Sequence, residues 1–402
     1  PMLPELRLDH LCRLTDDTGV IQHARYTVPR RSSGYCVDDN SRALVVALHA
    51  HELIPSATTD RLITIYLSYL EYSQDASGAF HNFMSYAREL EPPPESPSQD
   101  CVGRALWALG EASLLAPEEA QRRLASEMFD QSMNLSLGFG PRGASLSIIG
   151  LDAYLRAHPG HEPAAAVFKR LADALVERFD RESTDAWRWF EPTLTYDNGM
   201  LPLALFHAYA RTHDGAYLRV ARASLDFLER VCFKEEYLAL VGNSDWHGRG
   251  RRKSTSDEQP LDATSLVLAF RSAYLATGNH RDMQRMRRCF DWFLGANRLG
   301  LPLYDFRTAG CRDGLDPSAS SENQGAESTI SFLIALLAML DVVSEMPGSA
   351  NTRHLALAGR GVLEPTDPGD PGAPQAVIRS GSLGPARTTP EIDTPAPRTP
   401  AR

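Results

Sequence analysis

Apolar residues recur at three- and four-residue spacing along most of the chain, the period of an amphipathic helix, and sustained strand-like alternation is scarce. The pattern predicts about a dozen helices: Pro4–Leu14, Ser41–Leu53, Thr59–Tyr72, Val102–Leu114, Glu118–Met133, Ala144–Arg156, Glu162–Phe179, Leu201–Arg211, Tyr217–Val231, Asp262–Ala276, Arg281–Gly295 and Glu327–Val343. The connections alternate in length. After the even-numbered helices the chain turns quickly, as at Asp214-Gly215 and Gly278-Asn279. After the odd-numbered ones it makes long excursions rich in Gly, Pro and aromatics, the short link from Leu137 to Gly143 excepted. Such alternation is what a ring of helical hairpins requires, with inner helices forming a barrel wall, outer helices wrapping it, and the long loops gathered at one end. The stretches Ala144–Leu151 and Ser331–Leu337 are apolar on most faces, as a doubly packed inner helix must be, whereas Glu118–Met133 and Arg281–Arg288 keep a charged face outward. The expected fold is therefore all-α, an (α/α)6 toroid over residues 1–345, with an open helical solenoid as the competing arrangement.

From about Met346 the period is lost among Pro, Gly, Ser and Thr, as in the run Pro365-Thr366-Asp367-Pro368-Gly369-Asp370. Residues 346–402 are expected to form a disordered tail, because such a composition buries too little apolar surface to offset ordering entropy.

Two phrases repeat at predicted helix starts. Asp38-Asp39-Asn40-Ser41-Arg42-Ala43-Leu44 and Asp100-Cys101-Val102-Gly103-Arg104-Ala105-Leu106 share D-x-x-x-R-A-L; Gln259-Pro260-Leu261-Asp262-Ala263-Thr264 and Gln324-Gly325-Ala326-Glu327-Ser328-Thr329 share Q-x-x-[D/E]-x-T. Acids recurring where polar loops enter inner helices suggest carboxylates aimed at one common mouth. The bland reading stands beside it. Asp38 and Asp100 precede Arg42 and Arg104 by four residues, so N-capping and (i, i+4) pairing would also account for them, and first-turn acids such as Asp262 and Glu327 are favoured by the helix dipole alone.

The 402 residues carry a net charge of −10, which argues against nucleic acid or an anionic membrane as partner. No apolar stretch reaches the length of a membrane span; the longest, Ile330 to Leu340, fits a buried helix. Six dispersed cysteines without a C-x-x-C pair, and histidines without ligand spacing, indicate neither zinc nor a disulfide framework. No glycine-rich nucleotide motif is present, so no cofactor is expected. Pro1 ahead of Met2 reads as a remnant of tag cleavage, and a cytoplasmic location is expected, although a fragment of a periplasmic or secreted protein would look the same.

The long loops hold the remaining candidates. Carboxylates there interleave with aromatics, histidines and amides, a mixture suited to sugars, whose rings stack on aromatic faces and whose hydroxyls bond to acids and amides. The catalytic candidates are Asp39, Asp100, Glu191, Asp197, Glu258 and Glu327. Tyr35, Asp38, Phe80, His81, Asn82, Arg104, Trp187, Trp189, Tyr196, Asn198, Trp246, His247, Gln259 and Glu322 are candidates for substrate binding. Glu191, after an aromatic run and before Pro192, suits a general acid, as does Asp100; Asp39 or Asp197 suits a base.

The segments Phe80-His81-Asn82-Phe83-Met84, Gln99-Asp100-Cys101-Val102-Gly103-Arg104-Ala105-Leu106-Trp107-Ala108-Leu109-Gly110, Tyr35-Cys36-Val37-Asp38-Asp39-Asn40, Tyr196-Asp197-Asn198 and Asp257-Glu258-Gln259-Pro260 resemble bacterial domains found beside, or fused to, family-4-type glycosyltransferases. The resemblance runs from about Leu6 to Leu340 and implies kinship in outline with (α/α)6 carbohydrate-active enzymes: glycoside hydrolases, phosphorylases and sugar 2-epimerases. It implies a carbohydrate substrate and a functional link to a glycosyltransferase. The expectation is a glycoside hydrolase acting on a bacterial oligo- or polysaccharide through two carboxyls, in inverting fashion. A sugar epimerase or isomerase using His81 and His247, and a non-catalytic glycan-binding protein, are the alternatives.

Overall fold

The structure is a computed structural model; it describes residues 3–92 and 98–345. The expected tail, 346–402, lies outside the described residues. Among the described residues the chain forms twelve α-helices: α1 (Asp9–Leu14), α2 (Val37–Leu53), α3 (Ala57–Ser73), α4 (Gln99–Leu115), α5 (Glu119–Ser132), α6 (Pro141–Ala157), α7 (Glu162–Glu182), α8 (Met200–Thr212), α9 (Gly215–Cys232), α10 (Pro260–Thr277), α11 (His280–Asp291) and α12 (Ala326–Glu345). Each expected helix is present, with ends displaced by a few residues. Local chemistry sets several ends. Ser56 and Thr59 form a capping box at α3, Pro141 and Pro260 occupy first-turn positions of α6 and α10, and Gly278 closes α10 in the left-handed conformation.

The even-numbered helices pack in a closed ring, α2 on α4, α4 on α6, α6 on α8, α8 on α10, α10 on α12, and α12 back on α2. Odd-numbered helices pack outside as hairpin partners: α3 on α2, α5 on α4, α7 on α6, α9 on α8 and α11 on α10. Closure of α12 onto α2 makes this a toroid rather than a solenoid. The tightest seam joins α4 and α6, where Gly103 and Gly110 face Gly143 and Gly150; a Cβ on Gly110 would stand 2.1 Å from the Gly150 carbonyl oxygen. The core fills the wall, and Trp189, Trp292, Tyr154, Phe206 and Phe270 are among its fully buried side chains.

The long loops contain short two-stranded sheets that periodicity alone did not reveal: β1 (Ala24–Arg25) with β2 (Val28–Pro29), β3 (Tyr35–Cys36) with β4 (Phe83–Met84), β5 (Thr193–Leu194) with β6 (His247–Gly248), and β7 (Tyr304–Asp305) with β8 (Gly310–Cys311). Two of these join successive loops over the same end of the ring, β3 with β4 and β5 with β6.

Because the inner helices are parallel, their C-terminal ends meet at the opposite end and carry their own polar cluster. The Asp152 carboxylate accepts from Arg211 Nε at 2.7 Å and lies 2.9 Å from His207 Nδ1, while His49 lies 3.6 Å from the buried Glu111. Burial pushes Asp152 up, but His207 and Arg211 outweigh it and hold the carboxyl down at about 2. A carboxyl depressed on folding contributes stability above its unfolded value and loses that contribution as the pH falls toward the folded one. Asp152→Ala is therefore expected to destabilise the protein at pH 7 by about 1–3 kcal/mol, since it leaves the half-buried Arg211 without its carboxylate partner. In chemical denaturation the difference from wild type should shrink as the pH falls from about 5 toward 2. A deficit that did not change with pH would show that the charges contribute nothing.

Candidate active site

The N-terminal turns of the inner helices meet at the end covered by the long loops. There two arginines, each almost fully buried, organise the acids. Arg42 Nη2 in α2 donates to Asp39 Oδ1 at 2.8 Å and to Glu327 Oε2 of α12 at 2.9 Å. Arg104 in α4 places Nε 3.4 Å from Asp38 Oδ1 and Nη2 3.3 Å from Asp197 Oδ2. Arg142 in α6 donates to Glu191 Oε2 at 2.8 Å, to the Tyr196 carbonyl at 2.7 Å and to Asn198 Oδ1 at 3.3 Å, with its guanidinium 4.9 Å from the Tyr196 ring centre. The Tyr196 hydroxyl donates to Asp100 Oδ2 at 2.5 Å, and the Asp197 N–H donates to Asp262 Oδ1 at 2.8 Å. One continuous network thus draws acids from α2, α4, α10 and α12 and from the loop that enters α8.

The local pairing expected from D-x-x-x-R-A-L is not what forms. Cys36 and Ser98, not Asp38 and Asp100, cap α2 and α4. Arg42 takes Asp39, three residues before it, and Glu327 from across the ring; Arg104 passes over Asp100 for Asp38 and Asp197. Arg42 thus keeps one bond within its own helix and makes the other across the ring, while both partners of Arg104 lie on other elements.

The environments separate the carboxyls. Burial pushes Asp39 up to about 6, with Arg42 pulling against it and Glu327 reinforcing the rise. Burial likewise lifts Asp197 to about 6 against the opposing pull of Arg104 and Arg42. Asp262 lies well above the ordinary range through burial and then through its neighbour Asp197. Glu327 goes the other way. Burial pushes it up, yet Arg42 and Arg104 outweigh that and hold it below the ordinary glutamate value. Its side chain is also 46% exposed, the most accessible acid of the Arg42 and Arg104 pairs. Asp197 has a backbone φ of 52°, a strained conformation for a non-glycine residue that costs on the order of 1 kcal/mol or more and is common at functional sites.

The remaining candidates divide plainly. Asp38, Asn82, Tyr196 and Asn198 lie in the cluster; Asn82 Nδ2 stands 3.5 Å from Asp38 Oδ2. Trp246 sets its ring 5.9 Å from that of Tyr196, beside Asp100. Tyr35 is buried, donating to Asp16 at 2.7 Å and stacking on Tyr86. Others are placed elsewhere. Glu258 is fully buried, accepts the Leu240 N–H at 3.1 Å and pairs with Arg298 at 3.0 Å. Trp187 and Trp189 are packed behind the loops against Phe227, and Phe80 is core. His81 meets the Glu91 carbonyl, His247 packs on Trp187, and among the described residues no bond joins the two histidines. Gln259 caps the start of α10 without a side-chain bond to it, and Glu322 is exposed.

Arg42, Arg142 and Asp262 were not among the candidates. A basic residue in the first turn of an otherwise apolar inner helix opposes the dipole, and that is the signal that marks Arg142. Among the described residues no group of three or more His, Cys, Asp or Glu side chains is arranged to hold a metal ion, and no helix is long and apolar enough to cross a membrane.

No family model and no curated protein matches the chain. Solved structures do. A sugar epimerase from a ruminal bacterium superposes with a TM-score of 0.65 at 11% identity, covering 85% of this chain and 96% of its own. D-mannose isomerase gives 0.63 at 12%, covering 83% and 96%. The GH76A α-1,6-mannanase from Salegentibacter sp. HEL1_6 gives 0.56 at 13%, again covering 83% and 96%. The fold is an (α/α)6 toroid, as it is in these structures. At these identities the likeness speaks for the toroid and leaves its chemistry to the side chains at the mouth.

Proposed function

We propose that this toroid is a glycoside hydrolase, with the Arg42–Arg104 carboxylate cluster as its active site. One observation carries the reading: two buried aspartates, Asp39 and Asp197, are lifted to about 6 while the adjoining Glu327 is kept ionised. Acids driven apart by their surroundings are how a single site supplies a proton donor and a base together. Asp197 is the donor we favour, because its strained backbone and its bond to Arg104 fix its aim, and Glu327 is the base that activates water. This reverses the order expected from sequence, in which Asp197 or Asp39 was the base. Asp39 and Glu327 bond to the same nitrogen of Arg42, closer together than the roughly 6.5–9.5 Å of an inverting pair. An inverting reaction therefore joins Glu327 to an acid on Arg104, with Asp38, Asp100, Glu191, Tyr196, Asn198 and Trp246 holding the sugar. The resemblance to glycosyltransferase-associated domains favours a bacterial oligo- or polysaccharide as substrate and a role alongside its synthesis.

Purified protein screened against linkage-defined glycans, with product anomers followed by NMR, tests this. Cleavage with kcat/KM falling as the pH rises through about 6, where the donor ionises, and again in acid, where Glu327 is neutralised, is the expected profile. The epimerase and isomerase neighbours give the second reading its support. A mass-neutral product from a reducing sugar, with no bond cleaved, would decide for it. Saturable glycan binding without any product would decide for a binding protein.

A further inference from the structure

The Q-x-x-[D/E]-x-T phrase places Glu327 in the mouth, but its other copy places Asp262 beneath it. Asp262 sits in the first turn of α10, where an acid ordinarily serves the N–H groups of its own helix. It turns instead to the neighbouring loop, and its Oδ1 accepts the N–H of Asp197 at 2.8 Å. The residues that follow are pinned to the same turn. The Gly199 N–H donates to Ser265 Oγ at 3.1 Å, Ser265 Oγ donates to the Asp262 carbonyl at 3.1 Å, and a Cβ on Gly199 would stand 2.4 Å from the Ser265 carbonyl. Asp262 is only 5% exposed, and the backbone N–H groups of both Asp197 and Asn198 bear on its carboxyl. Its acceptor capacity is thus turned to the loop that carries Asp197 and not to its own helix.

We propose that Asp262 is a positioning residue, clamping the backbone at Asp197 in its left-handed conformation and so setting the Asp197 carboxyl against Arg104 at the mouth. The clamp itself stands on geometry; its consequence for turnover rests on the glycosidase reading. Asp197 is faced by Arg104 and Asp100 from α4, Arg42 from α2 and Arg142 from α6, and none of these bonds to the Asp197 N–H. Without Asp262 the strained residue has nothing to hold its amide, and it relaxes toward solvent.

The test compares Asp262→Asn with Asp262→Ala in the full chain, labelled with 13C at aspartate carboxyls, the Asp197 signal being assigned from Asp197→Asn. In wild type Asp197 should titrate near 6. D262N keeps an oxygen for the Asp197 N–H, so its inflection should stay within about half a unit, while D262A should fall by about one unit or more toward a solvated aspartate. On a cleaved glycan, D262A should lose roughly tenfold or more in kcat with KM nearly unchanged, and D262N should restore most of it. An Asp197 inflection unmoved in D262A, or moved equally in both variants, overturns the proposal. Should D262A fail to fold, Asp262→Ser compared with D262N gives the same decision. The titration decides whether or not any glycan is cleaved, so absent turnover in wild type would count against the glycosidase reading alone.

Discussion

Asp197→Asn is expected to lower kcat by roughly 10²–10⁴-fold while the protein keeps its fold, because the donated proton disappears and little else changes. Below pH 6 the native carboxyl is largely protonated, so the amide copies its shape and neutrality and still offers an oxygen to Arg104. Glu327→Gln should lose a similar factor for the opposite reason, by removing the ionised partner. It should also leave a second trace. Glu327 is one of the charges raising Asp39, so the Asp39 carboxyl should titrate at lower pH once that charge is gone. Thermal unfolding should show all three proteins melting within a few degrees of one another. If either amide variant turned over a confirmed substrate as fast as wild type, that residue would have to be withdrawn from the reaction.

Gly150→Ala is expected to be among the most damaging small substitutions in the ring. Its new methyl would stand 2.3 Å from the Leu106 carbonyl oxygen and 2.7 Å from the Trp107 nitrogen, atoms of a helix backbone that cannot rotate aside as a side chain can. The α4–α6 seam must open, at about 3 kcal/mol or more, the upper range for overpacking. That corresponds to a drop in Tm of roughly 4 °C or more for a domain of this size. Arg104 and Arg142 stand on the two helices being pushed apart, so turnover should fall with stability. Gly138→Ala is the control, since a Cβ there meets nothing within 4 Å. Equal melting temperatures for the two variants would mean that the seam is not held by backbone contact.

The fold was legible because its signals are local. Each wall helix carries its own period, and each hairpin its own stop, as at Gly278 or Asp214. The site was only partly legible, for a physical reason. Asp39, Asp100, Asp197 and Glu327 could be found as acids entering apolar helices, but their partners are set by ring closure. Arg42 bonds to a residue 285 positions away and Arg104 to one 93 away, and no window of sequence shows either. The same limit applies to the small sheets, since Tyr35 pairs with Met84 over only two residues per strand. Trp187 and Trp189 lie buried against Phe227, which sequence could not show, because an aromatic in a long loop reads alike whether it faces a ligand or anchors the loop to the wall. Glu258 was misjudged because its cation, Arg298, comes from a different loop.

The Arg42–Glu327 contact joins nearly the first helix to the last. During synthesis, then, α2 leaves the ribosome with Arg42 beside Asp39, but Arg42 meets its second carboxylate only once α12 has followed. A nascent chain stopped before residue 326 would hold most of its hairpins yet no working centre, and competence would arrive late and all at once.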